Sequence, residues 1–413
     1  MLGIGVAAQA SGTLVVTTPA MLIPLFHTEL GLGIAQVGLL AALPTFGMVL
    51  TLVLWGAVTD RYGERWVLAG GLLLTVAATA GATVASGGLD SGLHAARTPS
   101  TSALLFLGAF LLLTGMAAAS TNAASGRVVI GWFPARRRGL AMGIRQTCQP
   151  LGVAVAAVTV PPLSAASGAG AAFLLGALLT GACAVACALW IVDPPRKVSQ
   201  QSVQPSWREK PSPAIGAAAA ANPYRANGTL WRIHLASGLL VVPQFTLSIF
   251  GLVWLVSEQS WSPLAAGVLL GTSQFVGALG RIGIGMLSDR LGARLRPLRW
   301  VAIAAALTMA ITAATGSPGA APLVVIAYLF ASCASVADNG LAYTAVAEIA
   351  GVRWAGRALG AQNTGQFLAA SAVGPGIGAL IGLVGYPLAF LATALAPVLA
   401  VPLIPPASAE RVE

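Results

Sequence analysis

The sequence predicts an all-α membrane protein: twelve transmembrane helices in two pseudo-symmetric six-helix bundles. Three observations predict it. Hydrophobic residues make up 57% of the 413-residue chain and charged residues only 8%, with a mean hydropathy of +0.84. Soluble domains carry roughly 25% charged residues, so lipid must be the solvent for most of this surface. The apolar runs are long and do not alternate, which excludes barrel strands. At about 20 residues per crossing plus loops, the length accommodates twelve of them. The third observation is that the second half of the chain repeats marks of the first half in the same order.

The spans follow in order. Apolar runs near 5–27, 34–58, 66–87, 102–131, 139–163 and 170–192 form the first bundle, within residues 1–192. Residues 193–228 break the pattern with Pro194, Pro195, Pro205, Pro211, Pro213 and Pro223 in a polar setting, which reads as a linker. Six further runs, near 229–257, 264–288, 298–316, 321–347, 357–383 and 386–404, form the second bundle, within residues 229–413. A short tail closes the chain.

Charge sets the expected topology. On the side shared by both termini, the loops hold 18 of the 22 basic residues, while the opposite loops hold only Arg97. The positive-inside rule therefore places the termini and linker in the cytoplasm of a multi-pass cell-membrane protein. The net charge of +10 then faces anionic lipid and gives no reason to expect nucleic acid. The four cysteines lie in apolar runs and read as buried thiols. His27, His94 and His234 are spread over both surfaces, so neither a metal site nor a cofactor is expected.

The internal repeat is specific. Ala10-Ser11-Gly12 recurs as Ala236-Ser237-Gly238. Gly56-Ala57-Val58-Thr59-Asp60-Arg61-Tyr62-Gly63-Glu64-Arg65 recurs as Gly285-Met286-Leu287-Ser288-Asp289-Arg290-Leu291-Gly292-Ala293-Arg294, a shared G-x-x-x-D-R-x-G-x-R frame. Arg145-Gln146-Thr147-Cys148-Gln149 matches Gln362-Asn363-Thr364-Gly365-Gln366, and at the same offset Asn122 falls on Asn339. Duplicated six-span units are a transporter signature.

The frame between the second and third spans of each half resembles the major facilitator superfamily. So does Trp132-Phe133-Pro134 followed by Arg138-Gly139-Leu140-Ala141-Met142-Gly143 before the fifth span. The likeness covers nearly the whole chain. It implies two bundles around one cavity that opens to each side in turn. It also implies a gating role for Gly56, Asp60, Arg61, Gly63 and Arg65, and for Gly285, Asp289, Arg290, Gly292 and Arg294. Independently of the resemblance, a carboxylate at the C-terminal end of a helix opposes the helix dipole. Asp60 therefore needs a cation or another helix's N-terminus. Two departures weaken a drug-efflux reading. The Arg that many drug/proton antiporters of the family carry early in the fourth span is Leu111 here. Their fifth-span G-x-x-x-G-P-x-x-G run is replaced by Val160-Pro161-Pro162.

Charges deep in spans are costly and mark function by default. Arg145 and Asp338 are the leading candidates. Arg145, Gln146 and Gln149 share one helix face at i, i+4 and i+3 spacings, and Pro150 can free a carbonyl there. The matching face offers Gln362, Asn363 and Gln366, with Asn122, Asn339 and Gln244 on neighbouring spans. Guanidinium plus amides suits a small organic anion. Asp338 reads either as a proton-coupling group or as a counter-ion, with Arg145 a candidate partner. Arg281 reads as a structural cation, and Arg127 as a snorkelling one. The expected protein is a monomeric secondary transporter of a small solute, with proton coupling open and efflux of drugs or metabolites as the alternative. An intramembrane enzyme would need clustered acids or histidines in one pocket, and only Asp338 lies deep. No Walker motif supports ATP drive.

Overall fold

The structure is a computed structural model, and it describes residues 1–28, 32, 34–94, 101–193, 222–226, 228–315 and 321–406. The described residues are almost all helical. The first half comprises α1 (Leu2–Met21), α2 (Ile23–Thr28), α3 (Ile34–Tyr62), α4 (Glu64–His94), α5 (Thr101–Trp132), α6 (Ala135–Arg145) and α7 (Cys148–Trp190). The second comprises α8 (Pro223–Ala226), α9 (Thr229–Ser257), α10 (Pro263–Leu291), α11 (Leu295–Ala314), α12 (Ala321–Ala350) and α13 (Ala355–Leu403). Most of the expected 193–228 linker, and the loop holding Arg97, lie outside the described residues.

Nine helices among the described residues are long and apolar enough to cross a bilayer. Two of them, Ala135–Trp190 at 56 residues and Ala355–Leu403 at 49, are too long for one crossing of a ~30 Å core. Each turns back at a single glycine: Gly168 (φ 78°, ψ 174°) and Gly385 (φ 77°, ψ 171°). That backbone region is essentially closed to other residues. Each long helix thus makes two crossings, and with α1 the total is twelve.

The expected fifth span, 139–163, is not continuous. α6 ends at Arg145, and α7 starts at Cys148 after a break at Gln146-Thr147. Pro150 explains it, because its missing N–H is the one that would bond the Gln146 carbonyl.

Lipid tails are as apolar as leucine, so packing between spans relies on small side chains. α5 is buried without interruption from Ala117 to Ile130, a stretch dominated by Ala, Ser, Thr, Asn and Gly. The corresponding stretch of α12, from Ser335 to Ala347, is also wholly buried. Large apolar side chains such as Leu54, Leu105, Leu178, Leu307 and Leu399 point outward instead.

Candidate functional site

Two contacts between the halves are built alike, both at the end of the bundle rich in arginine. Asp60, at the C-terminal end of α3, accepts hydrogen bonds from Gly356 N (2.9 Å) and Arg357 N (3.1 Å), in the first turn of α13. Asp289, at the end of α10, accepts from Gly139 N (2.9 Å) and Leu140 N (2.8 Å) of α6. Each carboxylate therefore finds the helix amides that its own dipole-opposed position demands. Glycines make the approach possible. A Cβ on Gly56 would collide with the Gly356 carbonyl, and one on Gly285 with the Gly139 carbonyl. Gly63 (φ +91°) and Gly292 (φ +61°) take the left-handed turns that follow.

The arginines of the motif divide unequally. Arg294 bonds Asp289 (2.6 Å), Glu348 (3.3 Å) and the Ala135 carbonyl, and Arg138 of the first half also reaches Glu348 (3.4 Å). Burial weakens Arg294's charge, but Glu348 and then Asp289 outweigh it and hold its pKa above the usual value. At the matching place Arg65 turns inward to its own half, donating to the Ala188 carbonyl (2.9 and 2.6 Å). Two cations stand beside Asp60, Arg127 of its own half (3.7 Å) and Arg357 of the other (3.9 Å); Arg127 also pairs with Glu64 (3.2 Å) and donates to the Thr59 carbonyl. Arg127 does not snorkel: it is buried, because these two acids meet it inside the bundle. Arg61 and Arg290 are exposed, Arg61 lying over the Tyr62 ring (5.5 Å).

Above these contacts sits a polar chamber lined from both halves. Gln146 and Gln149 come from the α6–α7 break, and Gln244, Asn339, Asn363 and Gln366 from the second half, with Tyr343, Phe245 and Phe367. Its volume is about 30 Å³, room for little more than one ordered water. A second, smaller cavity shares Gln244 and is lined by Arg281, Ser273, Gln274, Ser332 and Ser335. The amides are tied together. Gln366 donates to Asn339 (3.0 Å) and Ser237 (2.7 Å), and Asn339 donates to Gln244 (3.1 Å). The Tyr343 hydroxyl lies within hydrogen-bond distance of Asn363 (2.5 Å) and Gln366 (2.8 Å). Sequence reasoning missed Tyr343. Only its amide-facing register on α12 could have signalled it.

Arg145 is brought to the edge of this network but not into the lining. Its donors go to Ser125 Oγ (2.9 Å), the Asn122 carbonyl (2.7 Å) and Gln146 Oε1 (3.2 Å), and its guanidinium lies over the Tyr343 ring (5.5 Å). Asn122 is a brace on the same network, accepting from Gln9 (2.7 Å). Gln362 faces away from the chamber, and its Oε1 is taken by His234 Nδ1. Nε2 meets the Tyr224 hydroxyl (2.9 Å), whose pKa burial pushes up to about 12. The side chains of His27 and His94 lie outside those described.

Asp338 is not paired with Arg145, whose hydrogen bonds go to Ser125, Asn122, Met142 and Gln146 of its own half. It is 1% exposed, and neither oxygen has a hydrogen-bond partner among the described residues. The cation it feels is Arg281 of α10. Arg281 holds the Gln146 carbonyl (2.8 Å) and the Val336 carbonyl (3.3 Å). The carbonyl freed by Pro150 in one half is thus satisfied by a guanidinium from the other.

Two duplicated bundles, a shared polar chamber and paired contacts sealing one end define a membrane transporter. The chain belongs to the Major Facilitator Superfamily, whose model matches residues 4–372. Two proteins of Mycobacterium tuberculosis, both called uncharacterized MFS-type transporters (Rv2994 in strain H37Rv and MT3072 in strain CDC 1551), are 42% identical over 402 residues, covering 97% of this chain and 83% of each relative. Among solved structures, the fucose transporter FucP in its outward conformation superposes with a TM-score of 0.71 at 16% identity, covering 98% of this chain and 97% of that one. The human organic anion transporter MFSD10 gives 0.70 at 16%, covering 98% of both chains. The proton:xylose symporter XylE gives 0.69 at 16%, covering 96% and 94%.

Proposed function

We propose that this chain carries a small organic anion across the membrane by alternating access, as a monomer, with its arginine-rich end in the cytoplasm. The observation that carries the reading is the chamber itself. It is lined from both halves by amides and hydroxyls, and the adjoining cavity adds Arg281 without any carboxylate in either lining. Such a surface supplies a guanidinium for charge and amides for orientation. A lipophilic cation, the typical efflux cargo, would need an acid there.

In this reading Gln146, Gln149, Gln244, Asn339, Asn363, Gln366 and Arg281 meet the solute. Arg145 positions Gln146 and Tyr343, and Asn122 and Gln362 brace the walls. The state described is closed at the arginine-rich end by Asp60 and Asp289. Gly56, Gly285 and Gly360, toward the arginine-rich end, are each in tight contact with the backbone of the other half. This supports an outward-facing state. Asp338 is the proposed proton carrier: when the solute draws on Arg281, the carboxylate loses its nearby cation and takes up a proton.

The test is ligand-induced thermal stabilisation of the purified protein by panels of organic anions, sugars, amino acids and lipophilic cations, followed by flux in proteoliposomes. Stabilisation by small carboxylates, abolished in Arg281→Ala, is expected. Stabilisation by lipophilic cations alone, or by neutral sugars alone, defeats the anion assignment.

A further inference from the structure

A groove on the membrane face of the first half has the form of a site for an anionic phospholipid. α3 and α4 both pack on α5 but touch each other little beyond their shared turn. The space between them forms two joined cavities of about 530 and 500 Å³ that share Trp55, Val58 and Leu74. The floor is made of small residues, Gly70, Gly71, Ala77, Ala78 and Ala117, and a Cβ on Gly70 would meet nothing within 4 Å. Two polar side chains of the lining are satisfied, with Thr51 (2.8 Å) and Trp55 (2.7 Å) both donating to the Met116 carbonyl. The groove lining is mostly apolar.

Its length and its mouth point to one occupant. From Thr51 to Tyr62 it runs about 16 Å at the helical rise, close to half of a ~30 Å hydrocarbon core and hence to one acyl chain of one leaflet. Tyr62 and Trp66 form the rim at the arginine-rich end, 57% and 64% exposed. Each carries a guanidinium over its ring: Arg61 over Tyr62 (5.5 Å), and Arg65, whose Nε and Nη2 hold the Ala188 carbonyl and whose Nη1 takes no part in those bonds, over Trp66 (5.4 Å). The nearby acids do not oppose an anion there. Asp60 and Glu64 are buried against Arg127, and Asp193 accepts from the Arg65 backbone N–H (2.8 Å). Lipid tails gain nothing over other lipid tails from an apolar groove, so selectivity must come from this rim. We propose that the α3–α4 groove holds one acyl chain of an anionic phospholipid whose phosphate is met by Arg61 and Arg65.

A comparison groove exists on the same molecule. Between α11 and the returning part of α13, a cavity of about 560 Å³ is lined by Ala306, Leu307, Ala310, Leu388, Leu391 and Leu395; neither groove has a charged residue in its lining, and the first differs in the arginines that lie over its two rim rings. It has the same apolar character and no headgroup contact.

The experiment is native mass spectrometry of the full-length protein with equimolar phosphatidylglycerol and phosphatidylcholine of identical chains. Wild type is expected to prefer phosphatidylglycerol in its first bound lipid. Arg61→Gln and Arg65→Gln should each reduce that preference about fivefold, which is ~1 kcal/mol per basic residue at a membrane surface. Gly70→Phe, which fills the groove one turn from Trp66 and leaves Arg61 and Arg65 in place, should remove the first adduct of either lipid. Leu388→Trp in the comparison groove should leave the preference intact. Equal binding of the two lipids by wild type, a preference that survives loss of both arginines, or a first adduct that survives Gly70→Phe would each overturn the proposal.

Discussion

Replacing Asp60 by Asn removes one charge and changes no shape, so its effect can be worked from the contact. Two backbone N–H groups of α13 point at the carboxylate, at 2.9 and 3.1 Å. An asparagine oxygen can accept from one of them, while its NH₂ is turned toward the other donor. Hydrogen bonds to a charged group contribute about 1.5–3 kcal/mol each, so the closed contact should weaken by about 3 kcal/mol. At 1.4 kcal/mol per tenfold, the ratio of closed to open should fall roughly a hundredfold. Asp289→Asn removes the same kind of contact at Gly139 and Leu140. Both contacts must break in one movement, so the two costs should add. Cys148 reports the opening. It is 0% exposed at the start of α7 and is uncovered when α10 leaves α6. In a background with Cys183, Cys187 and Cys333 changed to Ser, alkylation of Cys148 should quicken roughly a hundredfold in each single variant and further in the double. Transport should fall sharply while the protein stays in the membrane. An unchanged alkylation rate in well-inserted Asp60→Asn protein would remove the latch from the account.

Gly56→Val should clash with the Gly356 carbonyl and cost the closed state about 1–3 kcal/mol, read as faster Cys148 alkylation; Gly38→Val, with open space around it, should do nothing. Arg281→Ala orphans the Gln146 carbonyl and leaves Asp338 without its cation, so thermal stability should drop by about 2–4 kcal/mol, and adding Asp338→Asn should recover part of it in a double-mutant cycle. Asp338→Asn alone should keep the fold but flatten the pH dependence of flux in proteoliposomes, since the group proposed to carry the proton is gone. Tyr343→Phe keeps the ring under Arg145 and deletes the hydroxyl's contacts with Asn363 and Gln366. It should weaken solute binding about fivefold, at about 1 kcal/mol for the one hydrogen bond that a phenol proton donates, seen as a smaller ligand-induced thermal shift.

Much of this architecture was legible because membrane proteins write it in composition and repetition. Twelve apolar runs mark the crossings, and the duplicated G-x-x-x-D-R-x-G-x-R frame places both interface carboxylates before their partners are visible. The demand of Asp60 for a helix N-terminus follows from its position at the end of α3. The identity of that helix does not, since α13 lies nearly three hundred residues away. The amide faces around Gln146 and Gln366 are also legible from helical spacing. Partner choice among the arginines is not. Four guanidiniums and several acids share the interior, and spacing along one helix says nothing about which helix stands opposite. Spacing alone thus sends Arg127 to the surface and offers Arg145 to Asp338, and neither pairing forms. Arg281, structural by the same reasoning, holds the carbonyl released by Pro150. The cost of leaving that carbonyl unbonded in a low-dielectric interior selects the pairing.

The central claim is that the halves rock about the chamber, one end closing as the other opens. Spin labels at Tyr62 and Val352 report the arginine-rich end, and labels at Leu39 and Leu383 the opposite end, each pair placed on exposed residues across the two halves. Introducing Asp60→Asn and Asp289→Asn together in lipid should lengthen the first distance and shorten the second within the same population. If both distances lengthen, or the first lengthens while the second stays fixed, the two ends are not coupled through the chamber and the carrier mechanism described for this fold fails.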